Sequence, residues 1–119
     1  MDTQIVFGYW GTRGRGQVAR LLLDYTGANW TDKKYTSPDQ WFEKDKKNLG
    51  FSFPNLPYLI DGNFKITESL AIYRYIIGRS EKKELLGKDM KDQGRVDNLV
   101  GISNDITQAI FNAAFSEDY

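Results

Sequence analysis

Strand-like and helix-like patterns alternate along residues 4–78, and few folds accommodate their order. Residues 4–9 and 29–35 are rich in β-favouring side chains and predict two strands. Between them, apolar side chains recur at helical spacing up to a glycine that ends the helix. The apolar positions are Val18, Leu21, Leu22 and Tyr25, and the glycine is Gly27. This β-α-β unit predicts two parallel strands joined by a crossover helix.

The rest of this stretch predicts a helix, a hairpin and a further helix. Ser37-Pro38-Asp39 starts a charged, irregular surface helix, because proline is favoured in a first helical turn. Tyr58-Leu59-Ile60 and Phe64-Lys65-Ile66 predict two strands joined by a tight turn. Thr67 is expected to cap a helix that ends at Gly78. The order β-α-β-α-β-β-α implies an α/β fold, with helices packed on a mixed sheet.

The character of the sequence changes after Gly78. Residues 79–89 are polar and charged, which predicts a linker. A long helix begins at about Met90 and carries one apolar face. The positions that mark this face are Val96, Leu99, Ile102, Ile106, Ile110 and Phe115.

The composition excludes several kinds of chemistry. The chain has no cysteine and no histidine, so disulfides, a redox pair, a thiolate nucleophile and histidine metal ligands are excluded. Lys and Arg number 16 and Asp and Glu number 16, which gives no general attraction to nucleic acid or to an anionic membrane. We see no secretory signal and no membrane-spanning apolar run, so we expect a cytoplasmic protein.

Five motifs resemble those of mu-class glutathione transferases. They are Gly8-Tyr9-Trp10, Arg20-Leu21-Leu22-Leu23-Asp24-Tyr25, Phe53-Pro54-Asn55-Leu56-Pro57-Tyr58-Leu59-Ile60-Asp61-Gly62, Lys65-Ile66-Thr67-Glu68-Ser69 and Arg95-Val96-Asp97. The resemblance implies a thioredoxin-like domain over residues 1–80, followed by a partial all-helical domain of which residues 88–119 supply the first helix. It also implies a homodimeric enzyme that conjugates glutathione, its co-substrate, to small electrophiles without a metal or other cofactor.

Tyr9 is the catalytic residue that the resemblance implies, with Trp10 beside it at the glutathione site. A free thiol has a pKa of about 8.5, so little of it is thiolate at neutral pH. A phenol that donates a hydrogen bond to the sulfur lowers the thiol pKa, because it stabilises the charged form. From the residues alone, Tyr9 could equally be a rim aromatic that packs beside Trp10.

The resemblance implies further contacts to glutathione in two later segments. Asn55, Leu56 and Pro57 would bind the cysteinyl part, with a cis proline bond exposing the Leu56 backbone for strand-like pairing. Ser69 and the helix N-terminus would bind the γ-glutamyl carboxylate, and Glu68 would pair with the ammonium group. The alternatives are an ordinary proline turn and an ordinary helix cap.

Trp41 and a nearby lysine would hold the glycyl carboxylate. Two counts by the family's spacing locate this lysine differently. Counting back from Asn55 places it at Lys46, whereas counting forward from Trp41 arrives at Asp45, with Lys44 adjacent. The segment is one residue longer than the mu pattern, and we favour Lys46. The alternative for either lysine is a solvated charged face.

The last helix and the loop before the third strand carry the remaining implied roles. Asp105 would reach the glutathione bound by the partner subunit, and Phe53 would insert into a pocket of that subunit. Phe111 and Phe115 would line the electrophile site. Phe115 stands where some mu enzymes have an assisting tyrosine, so it can only shape an apolar pocket.

Two further departures leave a second function open. The loop between Tyr35 and Trp41 is shorter than in vertebrate mu enzymes and lacks their arginine. The sequence also contains only one helix of the helical domain. The alternative to a transferase is therefore a non-catalytic module for glutathione binding or dimerisation. A thioredoxin-like oxidoreductase is untenable without cysteine.

Overall fold

A computed structural model describes residues 4–116, and the chain divides between Lys82 and Lys83 into two compact units. The first unit contains a four-stranded mixed sheet in the order β2-β1-β3-β4. Strand β1 pairs in parallel with β2 and antiparallel with β3, and β3 pairs antiparallel with β4. The strands are β1 Ile5–Trp10, β2 Trp30–Tyr35, β3 Tyr58–Asp61 and β4 Phe64–Thr67.

Helices connect and cover these strands in the predicted order. In the first unit they are a 3₁₀ turn Gly14–Gly16, α1 Gln17–Tyr25, a π-helical segment Gln40–Asp45, α2 Lys46–Asn48 and α3 Ser69–Gly78. The second unit consists of a 3₁₀ turn Lys83–Leu86 and helix α4 Met90–Ala114. The predicted thioredoxin-like α/β order and the long last helix are confirmed.

The core of the first unit lies between the sheet and helices α1 and α3. Each helix contributes a pair of fully buried residues one turn apart, as a packed amphipathic helix requires. The fully buried aliphatic residues here are Ile5, Ala19, Leu23, Leu59, Ile72 and Ile76. Helix α1 is where the sequence predicted, but its periodic apolar residues do not face this core: Val18 and Leu21 are 47% and 57% exposed.

The start of α3 differs from the prediction that Thr67 caps it. The Thr67 hydroxyl instead donates to the Phe53 carbonyl at 2.8 Å, which ties the loop before β3 to the end of β4. The N-cap residue is Glu68, which has a positive φ of 77° and makes no side-chain cap hydrogen bond. The Thr67 prediction was wrong because Thr67 is the last residue of β4 and the Phe53 carbonyl already takes its hydroxyl.

The charged segment after Ser37 is helical and irregular, as predicted, but it is not wholly a surface helix. Residues Gln40–Asp45 form π-helical turns, in which one extra residue widens the helix. The segment buries Trp41, which is only 2% exposed. These π-helical turns lie at the start of the segment between Trp41 and Asn55, which is one residue longer than the mu pattern.

Helix α4 is capped at its start and buries no residue. The Asp89 carboxylate accepts a hydrogen bond from the backbone N–H of Asp92 at 2.9 Å, which is a standard N-cap. Among residues 4–116, no helix is both long and apolar enough to cross a membrane.

Candidate functional site

Tyr9 lies near the carboxyl end of β1, with its side chain 6% exposed. Its hydroxyl oxygen accepts a hydrogen bond from the backbone N–H of Arg15 at 3.0 Å. This bond uses a lone pair of the oxygen and leaves the phenolic proton free to be donated. The 3₁₀ turn that follows β1 therefore polarises the hydroxyl as a donor, and Arg15 is a contributor that the sequence did not reveal.

Two glycines of that turn allow the chain to pass close to the Tyr9 ring. A Cβ added at Gly16 would lie 2.6 Å from Cδ2 of Tyr9, and one at Gly14 would lie 2.6 Å from its hydroxyl oxygen. Gly14 also has a positive φ of 39°. The glycine-rich loop is thus explained by its close approach to Tyr9, since any side chain at Gly16 would displace the ring.

Arg20 contacts both the loop that follows β1 and the ring of Tyr9. It is 9% exposed, and its guanidinium donates to the carbonyls of Trp10 at 2.9 Å and Thr12 at 2.6 Å. Its Nε lies 3.1 Å from the Asp32 carboxylate on β2. The guanidinium carbon also lies 5.7 Å from the centre of the Tyr9 ring. A buried cation with this many partners rigidifies the end of β1.

The loop before β3 contains the predicted cis bond, between Leu56 and Pro57. Leu56 is 8% exposed, and its backbone N–H donates to Oδ1 of Asn55 at 2.9 Å. A peptide that pairs with the Leu56 N–H must therefore displace the Asn55 side-chain oxygen. Phe53, in the same loop, is 80% exposed.

The N-terminus of α3 has Ser69 as its first residue. The first N–H groups of a helix have no partner within the helix, and no side chain caps this one. Glu68 is exposed and is the only non-glycine residue with a positive φ among residues 4–116. Such backbone geometry is unfavourable for a side chain and is often found at binding sites.

Tyr73 is a second buried tyrosine near this position, and the sequence gave no sign of its role. It lies one turn after Ser69 on α3 and is 8% exposed. Burial raises the pKa of the Tyr73 hydroxyl, and the Ser69 hydrogen bond and the Arg15 charge lower it. Tyr9 also acts electrostatically on this hydroxyl. The groups that act on Tyr73 therefore come from both the end of β1 and the start of α3.

Trp41 packs in an aromatic cluster rather than lying open to solvent. Its ring stacks on Tyr58 at 5.9 Å and meets Tyr35 edge-on at 5.5 Å. The Tyr35 hydroxyl donates to Asp45 at 2.6 Å and lies 2.8 Å from the Tyr58 hydroxyl. Burial and the hydrogen bonds to Asp45 and Tyr58 raise the pKa of Tyr35. Burial also raises the pKa of Tyr58, against the lowering effect of its hydrogen bond with Tyr35. At 2% exposed, Trp41 offers little of its surface to a ligand.

The two candidate lysines lie in different surroundings. The Lys46 ammonium is 5.2 Å from the centre of the Phe42 ring, and the ring of Trp10 is 6.0 Å from the same phenylalanine. Lys46 and Phe42 also line an open cavity of about 390 Å³. Lys44 does not line that cavity. The extra residue leaves Asp45 bonded to Tyr35, so counting forward from Trp41 arrives at a carboxylate that faces the aromatic cluster.

The remaining predicted residues lie in the second unit, with Asp105 and Phe111 on α4 and Phe115 directly after it. Asp105 is exposed, Phe115 is 84% exposed, and the rings of Phe111 and Phe115 are 6.3 Å apart. The predicted glutathione contacts other than Asp105 all belong to the first unit.

The first unit matches the model of a known protein family. The model for the N-terminal domain of glutathione S-transferases matches residues 5–78. The chain is 42% identical over 122 aligned residues to glutathione S-transferase Mu 4 of Mus musculus, covering 97% of this chain and 54% of that protein. It is 39% identical to the class-mu 26 kDa isozyme of Schistosoma mansoni, covering 95% of this chain and 51% of that one. The chain thus spans about half the length of these relatives.

Two solved structures share the fold of this chain. A major nematode-specific glutathione S-transferase of C. elegans has a TM-score of 0.78 and 26% identity, covering 96% of this chain and 54% of that structure. Rat hPGDS, solved in complex with a quinoline, has a TM-score of 0.79 and 25% identity, covering 97% of this chain and 55% of that one.

Proposed function

The chain belongs to the glutathione S-transferase family, and on that basis we propose that it binds glutathione and transfers its sulfur to small electrophiles. The observation that carries this proposal is the environment of Tyr9. Its hydroxyl is buried, accepts the Arg15 N–H at 3.0 Å and keeps its own proton for donation. A thiol placed beside it would be stabilised as the thiolate. The reaction is then a nucleophilic attack by that sulfur.

The loop of Asn55, Leu56 and Pro57 would hold the cysteinyl part of glutathione. An extended peptide pairs with exposed backbone groups as an added strand does. The Leu56 N–H is occupied by the Asn55 side chain, so binding requires this side chain to rotate. Its amide oxygen would then be exchanged for a carbonyl of the peptide, at little net cost in hydrogen bonds.

The start of α3 would hold the γ-glutamyl end. Its unpaired N–H groups and partial positive charge suit a carboxylate, and the Ser69 hydroxyl adds one donor. The exposed Glu68 carboxylate would pair with the ammonium group. Support comes from the absence of a side-chain cap at this helix start, because a cap would compete with the ligand.

The glycyl carboxylate would meet Lys46, with Trp41 adjacent. Lys46 is favoured over Lys44 because it lines the cavity beside Phe42, close to Trp10. The attraction is that of an exposed ion pair, so we expect it to contribute about 1 kcal/mol or less.

We assign the roles on α4 and at the dimer contact as proposals as well. Asp105 would contact glutathione bound by a second subunit, and Phe111 and Phe115 would line the electrophile site. Phe53 would be the contact to a second subunit, and at 80% exposed its ring is accessible to one.

The proposal is tested by glutathione conjugation to an aromatic halide, with the parent chain, Tyr9→Phe and Tyr25→Phe. Tyr25 is the matched control, because it is 61% exposed on α1 and the substitution removes the same atom. We expect Tyr9→Phe to lose about 10²–10³-fold in kcat/KM with glutathione affinity retained, and Tyr25→Phe to keep parental activity. Equal activity of the parent and Tyr9→Phe would contradict the proposed role of Tyr9.

A second candidate is a module that binds glutathione without catalysis. It is favoured by one observation: the proposed glutathione contacts other than Asp105 lie within the first unit, whereas Phe111 and Phe115 lie in the second. Such a module would bind S-methylglutathione and yet show no conjugation in either the parent or Tyr9→Phe. Conjugation by the parent chain would eliminate this candidate.

A further inference from the structure

An open cavity of about 390 Å³ adjoins the residues that we propose to hold the glycyl end of glutathione. Its walls come from the π-helical segment, α2 and the loop after α2. The lining residues are Phe42, Lys46, Lys47, Gly50, Phe51 and Pro54. Pockets that hold small organic molecules have volumes of about 300–1,000 Å³, so this cavity can accommodate a ligand group of its own.

Two aromatic rings form apolar walls of the cavity, and each packs against another ring of the first unit. The centre of the Phe51 ring lies 4.9 Å from that of Tyr58, which is 2% exposed. The centre of the Phe42 ring lies 6.0 Å from that of Trp10. Because these contacts involve no ligand, we expect the walls to be in place before binding, as in most small-molecule sites.

Two of the lining residues relate the cavity to the third residue of glutathione. Pro54 directly precedes Asn55 and Leu56, which we propose to hold the cysteinyl part. Lys46 is the proposed partner of the glycyl carboxylate and also lines the cavity. The third residue of a bound peptide would therefore lie beside the cavity, but glycine has no side chain to place in it.

The lining favours an aromatic side chain on a peptide that ends in a carboxylate. Phe42 and Phe51 offer ring surfaces, against which another aromatic ring is stabilised beyond the effect of its buried area. Lys46 and Lys47 form no ion pair with a carboxylate of residues 4–116, so both ammonium groups can act on a ligand. One can meet the carboxylate, and the other can meet the face of the aromatic ring.

We propose that this chain prefers γ-glutamylcysteinyl peptides whose third residue is aromatic rather than glycine. The ring of that residue occupies the cavity lined by Phe42 and Phe51, and its carboxylate meets Lys46. The γ-glutamyl and cysteinyl parts keep the contacts proposed for glutathione, and the chemistry at the sulfur is unchanged. This inference rests on the proposed function and deepens it, because it names the class of thiol peptide that the site takes.

The test is titration calorimetry of the full 119-residue chain with two S-methylated peptides, which bind without reacting. They are S-methylglutathione and its analogue with phenylalanine in place of glycine. Burial of about half of a phenylalanine side chain should tighten binding about 5-fold, so the analogue should have a Kd lower by that factor. Equal Kd values, or tighter binding of S-methylglutathione, would overturn the inference and leave the proposed function intact.

Phe42→Ala locates the added ring, and Phe64→Ala is its matched control. Phe42 and Phe64 are 45% and 42% exposed, and Phe64 stacks on Tyr75 without lining the cavity. The readout is the ratio of the two Kd values, because a general loss of structure weakens the binding of both peptides alike. Phe42→Ala should reduce this ratio from about 5 to about 2 or less, whereas Phe64→Ala should leave it unchanged. If Phe42→Ala also leaves the ratio unchanged, the ring binds elsewhere and the inference is wrong.

Lys46→Gln separates the role of the carboxylate from that of the ring, with Lys44→Gln as the control because Lys44 does not line the cavity. Both peptides end in the same carboxylate, so Lys46→Gln should weaken both by a similar factor, about 5-fold or less. An effect of Lys46→Gln on the phenylalanine peptide alone would contradict the shared carboxylate contact. Absence of binding of either peptide by the parent chain would overturn the proposed function itself, and the inference with it.

Discussion

Helices α3 and α4 are both regular, yet only α3 buries side chains within its own unit. Four of the ten residues of α3 are buried, whereas none of the 25 residues of α4 is. On α4 the apolar side chains of Leu99, Ile106 and Ile110 are 57–68% exposed. The shorter helix is held by packing on a sheet, and the longer one by its own hydrogen bonds and its Asp89 cap.

The difference shows what an apolar period in a sequence can and cannot indicate. The period predicted α4 correctly, although no described residue of the second unit covers its apolar face. Helix formation is local, whereas burial needs a partner that the period does not name. The predictions below compare matched substitutions in the two regions.

The largest expected difference is between two isoleucine truncations. Ile76→Ala in α3 removes a fully buried side chain and should lower the free energy of unfolding by about 2–5 kcal/mol. Ile106 on α4 is 57% exposed, so Ile106→Ala should change it by about 0.5 kcal/mol or less. Urea unfolding followed by circular dichroism measures both. Similar losses would mean that the face of α4 is covered in solution.

Arg20 tests whether the end of β1 is held by buried polar contacts. Arg20→Met keeps the apolar stem and removes the hydrogen bonds to the Trp10 and Thr12 carbonyls, while Asp32 keeps Lys34 as its remaining cation, 3.9 Å away. Carbonyls that lose their hydrogen-bond donors in a part-buried site should cost about 1–3 kcal/mol. Arg95→Met is the control on α4, because its pair with Asp92 is exposed and should contribute about 0.5 kcal/mol. If Arg20→Met and Arg95→Met lower the free energy of unfolding equally, the buried contacts of Arg20 do not stabilise the fold.

Two glycine substitutions should have opposite signs. A Cβ at Gly8 in β1 would lie 2.2 Å from the ring of Tyr58, so Gly8→Ala should destabilise by about 1–3 kcal/mol. A Cβ at Gly101 in α4 meets no atom within 4 Å, so Gly101→Ala should stabilise that helix by about 0.5–1 kcal/mol. Thermal unfolding and helical circular dichroism report the two effects. A stabilising Gly8→Ala would contradict the packing described for β1.

The two helix starts give the smallest and subtlest comparison. Asp89→Ala removes the cap of α4 and should cost about 1 kcal/mol of helix stability. Glu68→Gly should be neutral or stabilising by about 1 kcal/mol, because glycine accepts the positive φ of 77°. The same substitution should weaken glutathione binding by removing the proposed partner of its ammonium group. If Glu68→Gly destabilises the fold strongly, the backbone at Glu68 is not strained as described.

Much of the fold could be predicted because its signals are local. The β-α-β unit, the hairpin and α4 follow from short apolar patterns and from glycine and proline, each readable within a few residues. The face of α1 could not be predicted, because exposed Leu21 is as apolar as buried Leu23. The hydrogen bond of Thr67 could not be predicted for a different reason, since its choice between capping α3 and bonding the Phe53 carbonyl depends on a distant loop.

The candidate site was predictable where a motif carries the chemistry, and unpredictable where the fold assembles it. Tyr9 and Ser69 were named from their motifs and stay predictions. The contributions of Arg15, Arg20 and Tyr73 depend on contacts that join β1, the turn after it and α3, and no spacing in the sequence announces them. The lysine choice was unresolved because a π-helical turn shifts the register between Trp41 and Asn55.

The measurement that tests the central claim most directly is the ionisation of bound glutathione in the parent chain and in Tyr9→Phe. Thiolate absorbance in the ultraviolet, followed across pH, gives the pKa of the bound thiol. With Tyr9 donating to the sulfur, we expect that pKa to lie about 1–3 units below the free value near 8.5, and to return towards it in Tyr9→Phe. An equally low pKa of bound glutathione in both proteins would contradict the account, because another group would then stabilise the thiolate.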